Sequence, residues 1–354
     1  MAGPVDLLPL LPEELACLMP EEPPYRGAQV FKWVHARGVT SFDAMTDLPL
    51  ALRASLAEKY MISRLEPVEV LRGADATRKL IFDAGNGRPF TSVLMPGPDR
   101  VTLCVSSQVG CRMGCAFCLT GRMRFHRNLK AAEIIGQVHA AARILSVEGG
   151  PRSRISNVVF MGMGEPLDNL EEVLRAVRVI THRLGLRVAP RRTTVSTVGL
   201  VPAMRQFLQA GTGASLAVSL CATTDEARNR VVPVGRRYPI GSLLDTLASM
   251  PPPHGHHYTI EYQLIPGVGA SVEDARRLSR MLARFPSKVN LIPFNPWPLA
   301  PFREPTQAEV EAFRAVLAAK HHSVTVRYSR GRDIGAACGQ LGPASNEKGE
   351  ATGE

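Results

Sequence analysis

The spacing of apolar residues divides the chain into three regions with different periods. Across about the first 60 residues, apolar positions recur every three to four residues, and Val30, Phe31 and Val34 fall on one helical face. Across residues 65–104, short apolar runs are separated by Gly, Asn and Pro, which is typical of antiparallel β structure. Strand-like and helix-like stretches then alternate along most of the remaining chain.

Six strand–helix units follow one another after Thr102, with stop signals such as Gly185 and Gly211. Repeated strand–helix alternation implies a parallel sheet, because every crossover must return the chain to the same end of the sheet. The expected fold class is therefore α/β, with a partial (β/α)6 barrel and a small N-terminal helical domain.

The same changes of pattern predict the domain boundaries. Residues 1–62 are expected to form the helical domain, residues 63–100 a β-rich connector, and residues 101–342 the partial barrel. The polar tail, residues 343–354, is expected to be disordered.

The composition is that of a globular protein, with 45% hydrophobic and 21% charged residues among 354. No apolar run approaches the ~20 residues that a membrane helix needs. The N-terminus lacks a basic region followed by a long apolar core, so it does not read as a signal peptide. These features predict a cytoplasmic protein without a membrane partner.

The chain is basic, since 42 Lys and Arg against 32 Asp and Glu give a net charge of +10. Basic surfaces attract phosphates, which makes a nucleic acid a candidate partner. An ordinary solvated surface accounts for the charge equally well, so charge alone leaves both interpretations open.

Unusual short sequences follow each predicted strand of the barrel. CRMGCAFC comes after the first strand, GMGEP after the second, and STVG, SLCA, IPGVG and PFNPWP after the others. Because functional sites in parallel α/β folds lie at the carboxyl ends of the strands, these loops are expected to share one site.

The CRMGCAFC loop places three cysteines, Cys111, Cys115 and Cys118, within eight residues. An odd total of seven cysteines without an export signal argues against a disulfide framework. Structural zinc sites need four ligands; Cys104 could supply the fourth, but the usual second pair is absent. A [4Fe-4S] cluster held by three thiolates keeps one iron open for a small chelating ligand, and this interpretation is favoured.

The CxxxCxxC spacing, with an aromatic residue before the last cysteine, resembles the signature of the radical-SAM superfamily. That resemblance implies S-adenosylmethionine on the open iron, reductive cleavage to a 5′-deoxyadenosyl radical, and an electron donor such as flavodoxin or ferredoxin. Seven residues at strand ends are the expected cofactor contacts: Gly164, Glu165, Ser196, Ser219, Leu220, Cys221 and Asn295. Each serine is explained equally well as a helix cap.

Longer stretches, above all CVSSQVGCRMGCAFC and RGRDIGAACGQL, are similar to the RlmN/Cfr family of radical-SAM rRNA adenine methyltransferases. The similarity spans roughly residues 5–342 and includes the family's N-terminal RNA-binding module. It implies methylation of an aromatic carbon of adenosine, carbon 2 in preference to carbon 8. The implied substrate is 23S rRNA, with tRNA as a second substrate class and a monomeric enzyme.

The resemblance also assigns two catalytic cysteines. Cys338, in AACGQL, matches the residue that is methylated and then joined through that carbon to adenine. Cys104, in LCVSSQ, matches the residue that attacks the sulfur of Cys338, forms a disulfide and releases the methylated base. Taken singly, each residue is better explained as a buried structural cysteine, and the surrounding motif match reverses that preference.

Two positions depart from the family pattern. Where the family typically has a glutamate that takes the proton from the adenine carbon, this chain has Thr91. A threonine hydroxyl is no general base near neutral pH, so Asp99, Glu69 or a water molecule are the candidate replacements. Cys221 stands where the family usually has histidine.

Two alternative functions stay open at this level. The first is an enzyme of the same family whose RNA target or reaction has changed, in line with Thr91. The second is a zinc-dependent RNA-binding protein without catalysis.

Overall fold

The structure, a computed structural model, describes residues 4–149, 154–298 and 300–342. The strands of these ranges are β1 (Val5–Asp6), β2 (Tyr60–Met61), β3 (Glu69–Arg72), β4 (Arg78–Asp83), β5 (Pro89–Pro96), β6 (Val101–Cys104), β7 (Gln108–Val109), β8 (Arg127–Asn128), β9 (Asn157–Phe160), β10 (Thr193–Thr197), β11 (Ser215–Ser219), β12 (Tyr258–Leu264), β13 (Ser287–Pro293) and β14 (Ser323–Val326). The predicted tail at residues 343–354 lies outside the described residues.

The helices are α1 (Pro12–Cys17), α2 (Tyr25–His35), α3 (Leu50–Lys59), α4 (Leu119–Arg122), α5 (Ala131–Glu148), α6 (Leu170–Thr181), α7 (Val201–Gln209), α8 (Asp225–Val231), α9 (Ile240–Ser249), α10 (Val272–Leu282) and α11 (Gln307–Ala318). Short 3-10 turns lie at Phe42–Ala44, Pro166–Asn169, Pro190–Arg192, Pro233–Arg236 and Arg332–Ile334. Within the described ranges, no helix combines the length and apolarity that crossing a bilayer requires.

A ten-stranded sheet, in the order β14-β13-β12-β11-β10-β9-β6-β5-β4-β3, forms the centre of the molecule. Strands β6 and β9 to β14 run parallel, and helices connect them, which confirms the predicted α/β fold class. Strands β3 to β6 pair antiparallel. The short apolar runs of residues 65–104 therefore form an antiparallel meander that extends the sheet, as predicted. Every residue of Tyr258–Leu264 is buried, as expected of a central parallel strand covered on both faces.

The N-terminal helices pack on one another and then on the barrel. Val30, Phe31 and Val34 are fully buried, in agreement with the predicted apolar face of α2. Gly27 allows α1 and α2 to approach closely, because a Cβ atom there would lie 2.2 Å from the carbonyl oxygen of Pro12. The apolar face of α2 is therefore buried inside the protein, and α1 packs closely against α2.

A buried histidine pair joins α2 to the barrel helix α5. Nδ1 of His35 lies 3.1 Å from Nε2 of His139, and both side chains are buried. Burial lowers the pKa of His35 well below its usual value, and the neighbouring His139 and His182 lower it further. Burial also lowers the pKa of His139 to about 4, and the charge of Arg143 contributes. Both imidazoles are therefore neutral in the folded protein near pH 7.

The C-terminal segment, residues 327–342, crosses back over the carboxyl ends of the strands. The turn between β3 and β4 holds it, because Asp333 accepts a bond from the amide of Ala74 at 2.8 Å and Arg330 pairs with Asp75. The connector meander thus positions the segment that carries Cys338.

We predict that acid weakens the folded protein through the His35–His139 pair. In the unfolded chain both histidines take up protons near pH 6.5, whereas in the fold their pKa values are lower. Above pH ~6.5 the histidine pair does not lower the free energy of unfolding. Below that pH, the free energy of unfolding decreases toward pH ~4, by up to about 1.4 kcal/mol per pH unit for each histidine. Chemical denaturation between pH 4.5 and 7.5 measures this slope.

His139→Gln keeps a hydrogen-bonding group without a titrating ring, so the slope should become shallower in that variant. His256→Gln, in an exposed loop, is the matched control and should leave the slope unchanged. Equal slopes in wild type and His139→Gln would contradict the assignment.

Candidate functional site

A buried polar network fixes the loop that follows strand β6. The side chain of Gln137 accepts a bond from the amide of Ser106 at 2.8 Å and donates to its carbonyl at 3.0 Å. The Ser106 hydroxyl donates to the carbonyl of Thr91 at 2.6 Å and accepts from the amide of Met163 at 2.7 Å. One serine therefore links the CVSSQ loop to strand β5 and to the GMGEP loop.

The cysteine loop follows this network and opens into a small cavity of about 120 Å³. Cys111, Cys115 and Cys118 all line the cavity, so the structure brings the three predicted thiols together. Among the described residues, no three His, Cys, Asp or Glu side chains converge tightly enough to hold a single metal ion. The thiols instead surround a shared space at the carboxyl ends of the strands.

Burial makes these thiols poor acids on their own. It raises the pKa of Cys111 to about 12 and that of Cys115 well above its usual value, and the neighbouring cysteines raise both further. Burial likewise raises the pKa of Cys118. A cationic metal group is the kind of partner that would stabilise three such thiolates together.

The GMGEP loop forms the opposite wall of the small cavity and depends on its glycines. A Cβ atom at Gly162 would lie 2.7 Å from the Ser106 hydroxyl oxygen. Gly164 has a φ of 98°, and a Cβ atom there would lie 2.5 Å from the Cβ of Gln108. Both positions therefore require glycine for this close backbone approach.

Glu165 follows these glycines and is almost completely buried. It accepts hydrogen bonds from the amides of Leu167 at 3.0 Å and Val198 at 2.9 Å. Burial raises the pKa of Glu165 to about 7, although these amide bonds act in the opposite direction. An ammonium group entering the cavity would favour its charged form.

Strands β10 and β11 complete the small cavity. Ser196, Ser219 and Cys221 line it together with Gly164 and Glu165. Cys221 is buried and has a φ of 63°, a left-handed conformation that few residues other than glycine adopt. The loop after β11 therefore holds its backbone in a strained turn beside the thiols.

Two predicted cofactor contacts do not line this cavity. Leu220 is buried in the core, and Asn295 donates to the Ser329 hydroxyl at 2.8 Å and to the carbonyl of Cys338 at 3.0 Å. Asn295 thus holds the C-terminal segment in this structure.

A second and larger cavity, of about 650 Å³, adjoins the first. Cys104 and Cys338 both line it, and Cys338 also lines the smaller cavity. Cys104 is buried, and burial raises its pKa to about 12. Cys338 is exposed to solvent through the cavity, although the protein around it raises its pKa.

Hydrogen bonds from helix α4, which directly follows the cysteine loop, fix the segment around Cys338. The amide of Leu119 donates to the carbonyl of Gly339 at 2.7 Å, and the hydroxyl of Thr120 donates to the carbonyl of Leu341 at 2.6 Å. Cys338 is therefore held where the two cavities meet.

Sequence reasoning did not single out Glu261 and Arg327 as site residues. Glu261 lines both cavities from the middle of β12, and Arg327 lines the larger one. The available signal was a charged residue inside the apolar stretch YTIEYQLI, since a buried strand rarely carries one without a partner or a role. Thr91, in contrast, is buried beneath the loop network and does not line either cavity.

The donor set fits a cluster with one open iron and its chelating ligand. The groups around this cavity include the thiols of the cysteine loop, the carboxylate of Glu165, the hydroxyls of Ser196 and Ser219, and glycine backbone. The fold and this site define the class as radical-SAM enzymes.

Comparisons with known proteins agree with that class. The radical-SAM superfamily model matches residues 105–250, and the model for the N-terminal domain of ribosomal RNA large subunit methyltransferases matches residues 5–62. The chain is 50% identical over 317 residues to the dual-specificity RNA methyltransferase RlmN of Geobacter sulfurreducens, covering 90% of this chain and 86% of that one. Its relative from Moorella thermoacetica, described as a probable dual-specificity RNA methyltransferase RlmN, is 45% identical and covers 97% of this chain and 98% of that one.

A solved structure, that of a radical SAM methyltransferase from Sphaerobacter thermophilus, superposes with a TM-score of 0.86. It is 42% identical and covers 96% of this chain and 99% of the other. The chain therefore belongs to the RlmN family of radical-SAM RNA methyltransferases.

We predict that Ser106→Ala destabilises the site loops. The change leaves the amide of Met163 and the carbonyl of Thr91 buried without this partner. The expected loss is about 1–3 kcal/mol in the free energy of unfolding, which chemical denaturation of the metal-free protein measures.

Ser242→Ala, at an exposed position of helix α9, is the matched control and should change stability by less than about 0.5 kcal/mol. If the two variants have similar free energies of unfolding, the hydrogen bonds of Ser106 do not stabilise the site loops as predicted.

Proposed function

We propose that this protein methylates an aromatic carbon of adenosine, carbon 2 in preference to carbon 8, in 23S rRNA and in tRNA. One observation carries the proposal: Cys104 and Cys338 line the same cavity, and Cys338 also reaches the cavity of Cys111, Cys115 and Cys118. A metal-bound cofactor and a substrate base could therefore meet at one sulfur. The names of the relatives, dual-specificity RNA methyltransferases, support the same substrate class.

In this proposal the smaller cavity binds the cofactors. Cys111, Cys115 and Cys118 hold a [4Fe-4S] cluster, and Glu165 accepts hydrogen bonds from the amino group of S-adenosylmethionine. The serines at the ends of β10 and β11 are placed to contact its remaining polar groups. When bound, these cofactors supply the methyl group and the radical that activates it.

The larger cavity binds the adenine, with Cys338 as the carrier of the methyl carbon. Once Cys338 is methylated, one hydrogen atom of its S-methyl group would pass to the carbon radical that bound S-adenosylmethionine supplies. The methyl carbon of Cys338 then forms a bond to the ring carbon of adenine. The Cys104 thiolate then attacks the sulfur of Cys338, so that an S–S bond forms and the bond from Cys338 sulfur to carbon breaks. The displaced carbon takes up a proton and becomes the methyl group. One proton leaves the ring carbon for a base, and one electron passes to a one-electron carrier.

Charges at the mouth of the larger cavity suit a nucleic acid. Arg100, Arg327 and Arg330 line it. Guanidinium groups bind phosphate oxygens and fix the position of the strand without choosing the base. A base extruded from its stack could then enter a cavity of about 650 Å³.

We also propose that the enzyme works in the reducing cytoplasm, where thiols such as Cys104 and Cys338 stay free. In this proposal it is a monomer that receives electrons from a flavodoxin or a ferredoxin.

The experiment that tests the function is anaerobic reconstitution with iron and sulfide, followed by nucleoside analysis of RNA incubated with the protein, S-adenosylmethionine and a reductant. We expect methyladenosine in 23S rRNA and tRNA, and one extra methyl group on the Cys338 peptide by mass spectrometry. Protein that binds zinc but no iron would contradict the proposal. If the protein binds an intact iron–sulfur cluster but the adenosines of both RNAs stay unmethylated, the result would instead favour an enzyme of this family with a different RNA target or reaction.

We predict that Cys104→Ala stops the reaction after the carbon–carbon bond has formed. Cys338 stays methylated in this variant, and protein–RNA adducts that survive denaturing electrophoresis should accumulate, since no thiolate can release them. Cys338→Ala should form no adduct, and Cys17→Ala, at an exposed cysteine, should behave as wild type. Adducts in Cys338→Ala would exclude Cys338 as the carrier.

A further inference from the structure

Glu261 is a carboxylate buried at the junction of the two cavities. It lies in the middle of β12, opposite Ser219 of β11 and Asn290 of β13, and is only 6% exposed. Four residues line both cavities: Met161, Glu261, Ile292 and Cys338. Glu261 is the only one of these four with a group that can accept a proton from carbon chemistry near neutral pH.

The hydrogen bonds of Glu261 leave one oxygen unused. Asn290 Nδ2 donates to Oε1 at 3.0 Å, and Arg327 Nη1 lies 3.4 Å from the same oxygen. Within the ranges that the structure describes, Oε2 accepts no hydrogen bond. One oxygen therefore anchors the side chain, and the other keeps its capacity to accept a proton in a residue that lines both cavities.

Glu261 is also close to both redox cysteines. Burial is the largest cause that raises the pKa of both Cys104 and Cys338, and the negative charge of Glu261 raises both further. All three residues line the larger cavity. A ring carbon bonded through one carbon atom to Cys338 sulfur would therefore lie in the same part of the cavity as the carboxylate.

The other candidate bases are less well placed. Asp99 lines the larger cavity only at its exposed mouth, and Glu69 is exposed on β3 and lines neither cavity. Glu165 already accepts two amide bonds, and the hydroxyl of Thr91 is buried away from both cavities.

We propose that Glu261 is the catalytic residue that takes the proton from the adenine carbon, an inference that rests on the function proposed above. Oε2 bonds to the hydrogen, the C–H bond breaks, and its electron pair stays in the ring. The ring becomes aromatic again when one electron leaves for the one-electron carrier. Asn290 and Arg327 act as positioning residues, since they hold Oε1.

Glu261→Gln tests the inference, because glutamine keeps the size of the side chain and an oxygen for Asn290 and Arg327. With reconstituted enzyme and RNA, methyladenosine formation should fall by about 100-fold or more. Methylation of the Cys338 peptide should stay within about twofold of wild type, because that step precedes proton removal. The melting temperature of the metal-free variant should match that of wild type.

Two further variants complete the test. Glu261→Asp should retain intermediate activity, and with RNA deuterated at the methylated carbon it should show a larger isotope effect than wild type, since proton removal becomes slower. Glu226→Gln, at an exposed carboxylate of helix α8 that lines neither cavity, is the matched control and should stay within about threefold of wild type.

Three outcomes would overturn the inference. Activity of Glu261→Gln within about threefold of wild type would assign proton removal to water or to another group. Loss of Cys338 methylation and of stability in the same variant would assign Glu261 a structural role. Wild-type enzyme that makes no methyladenosine would overturn the proposed function and this inference with it, whereas the first two outcomes leave the proposed function intact.

Discussion

The site depends on how the C-terminal segment is held across the carboxyl ends of the strands. Hydrogen bonds from Leu119, Thr120 and Asn295 to backbone carbonyls in this segment place Cys338 where the two cavities meet. These bonds come from helix α4 and from the loop after β13, so one segment ties the smaller cavity to the larger one. Backbone carbonyls as acceptors fix the path of the chain without restricting the side chain of Cys338, which the proposed mechanism requires to approach two partners.

The loops that form the small cavity are rigid for a related reason. The Ser106 hydroxyl and the Gln137 side chain satisfy backbone groups that would otherwise be buried without partners. Leaving such groups unsatisfied is costly, so the network specifies one arrangement of the CVSSQ and GMGEP loops. Close backbone approach at Gly164 has the same effect, because any side chain there would collide with Gln108.

Local patterns in the sequence predicted the fold class, the antiparallel meander and the shared position of the loops, because apolar periodicity and turn residues are local signals. The cysteine spacing was enough to indicate three thiols around one cavity. Glu261 was not identified, since its role depends on Asn290 and Arg327, which lie 29 and 66 residues away along the chain. The contact of Asn295 with Cys338 was missed for the same reason, as it joins the loop after β13 to the C-terminal segment, 43 residues further along the chain.

Charge neutralisation could order the two late steps of the proposed mechanism. Burial raises the pKa of Cys104 to about 12, and the negative charge of Glu261 adds to this while Arg327 opposes it. When Glu261 takes a proton, its charge disappears, and the unopposed guanidinium of Arg327 then favours the thiolate of Cys104. Proton removal from the base would thus lower the pKa of Cys104 from its value before that step, although burial, the largest cause of the shift, persists. The same carboxylate would in this way link proton removal from the ring carbon to the later attack on Cys338 in the proposed mechanism.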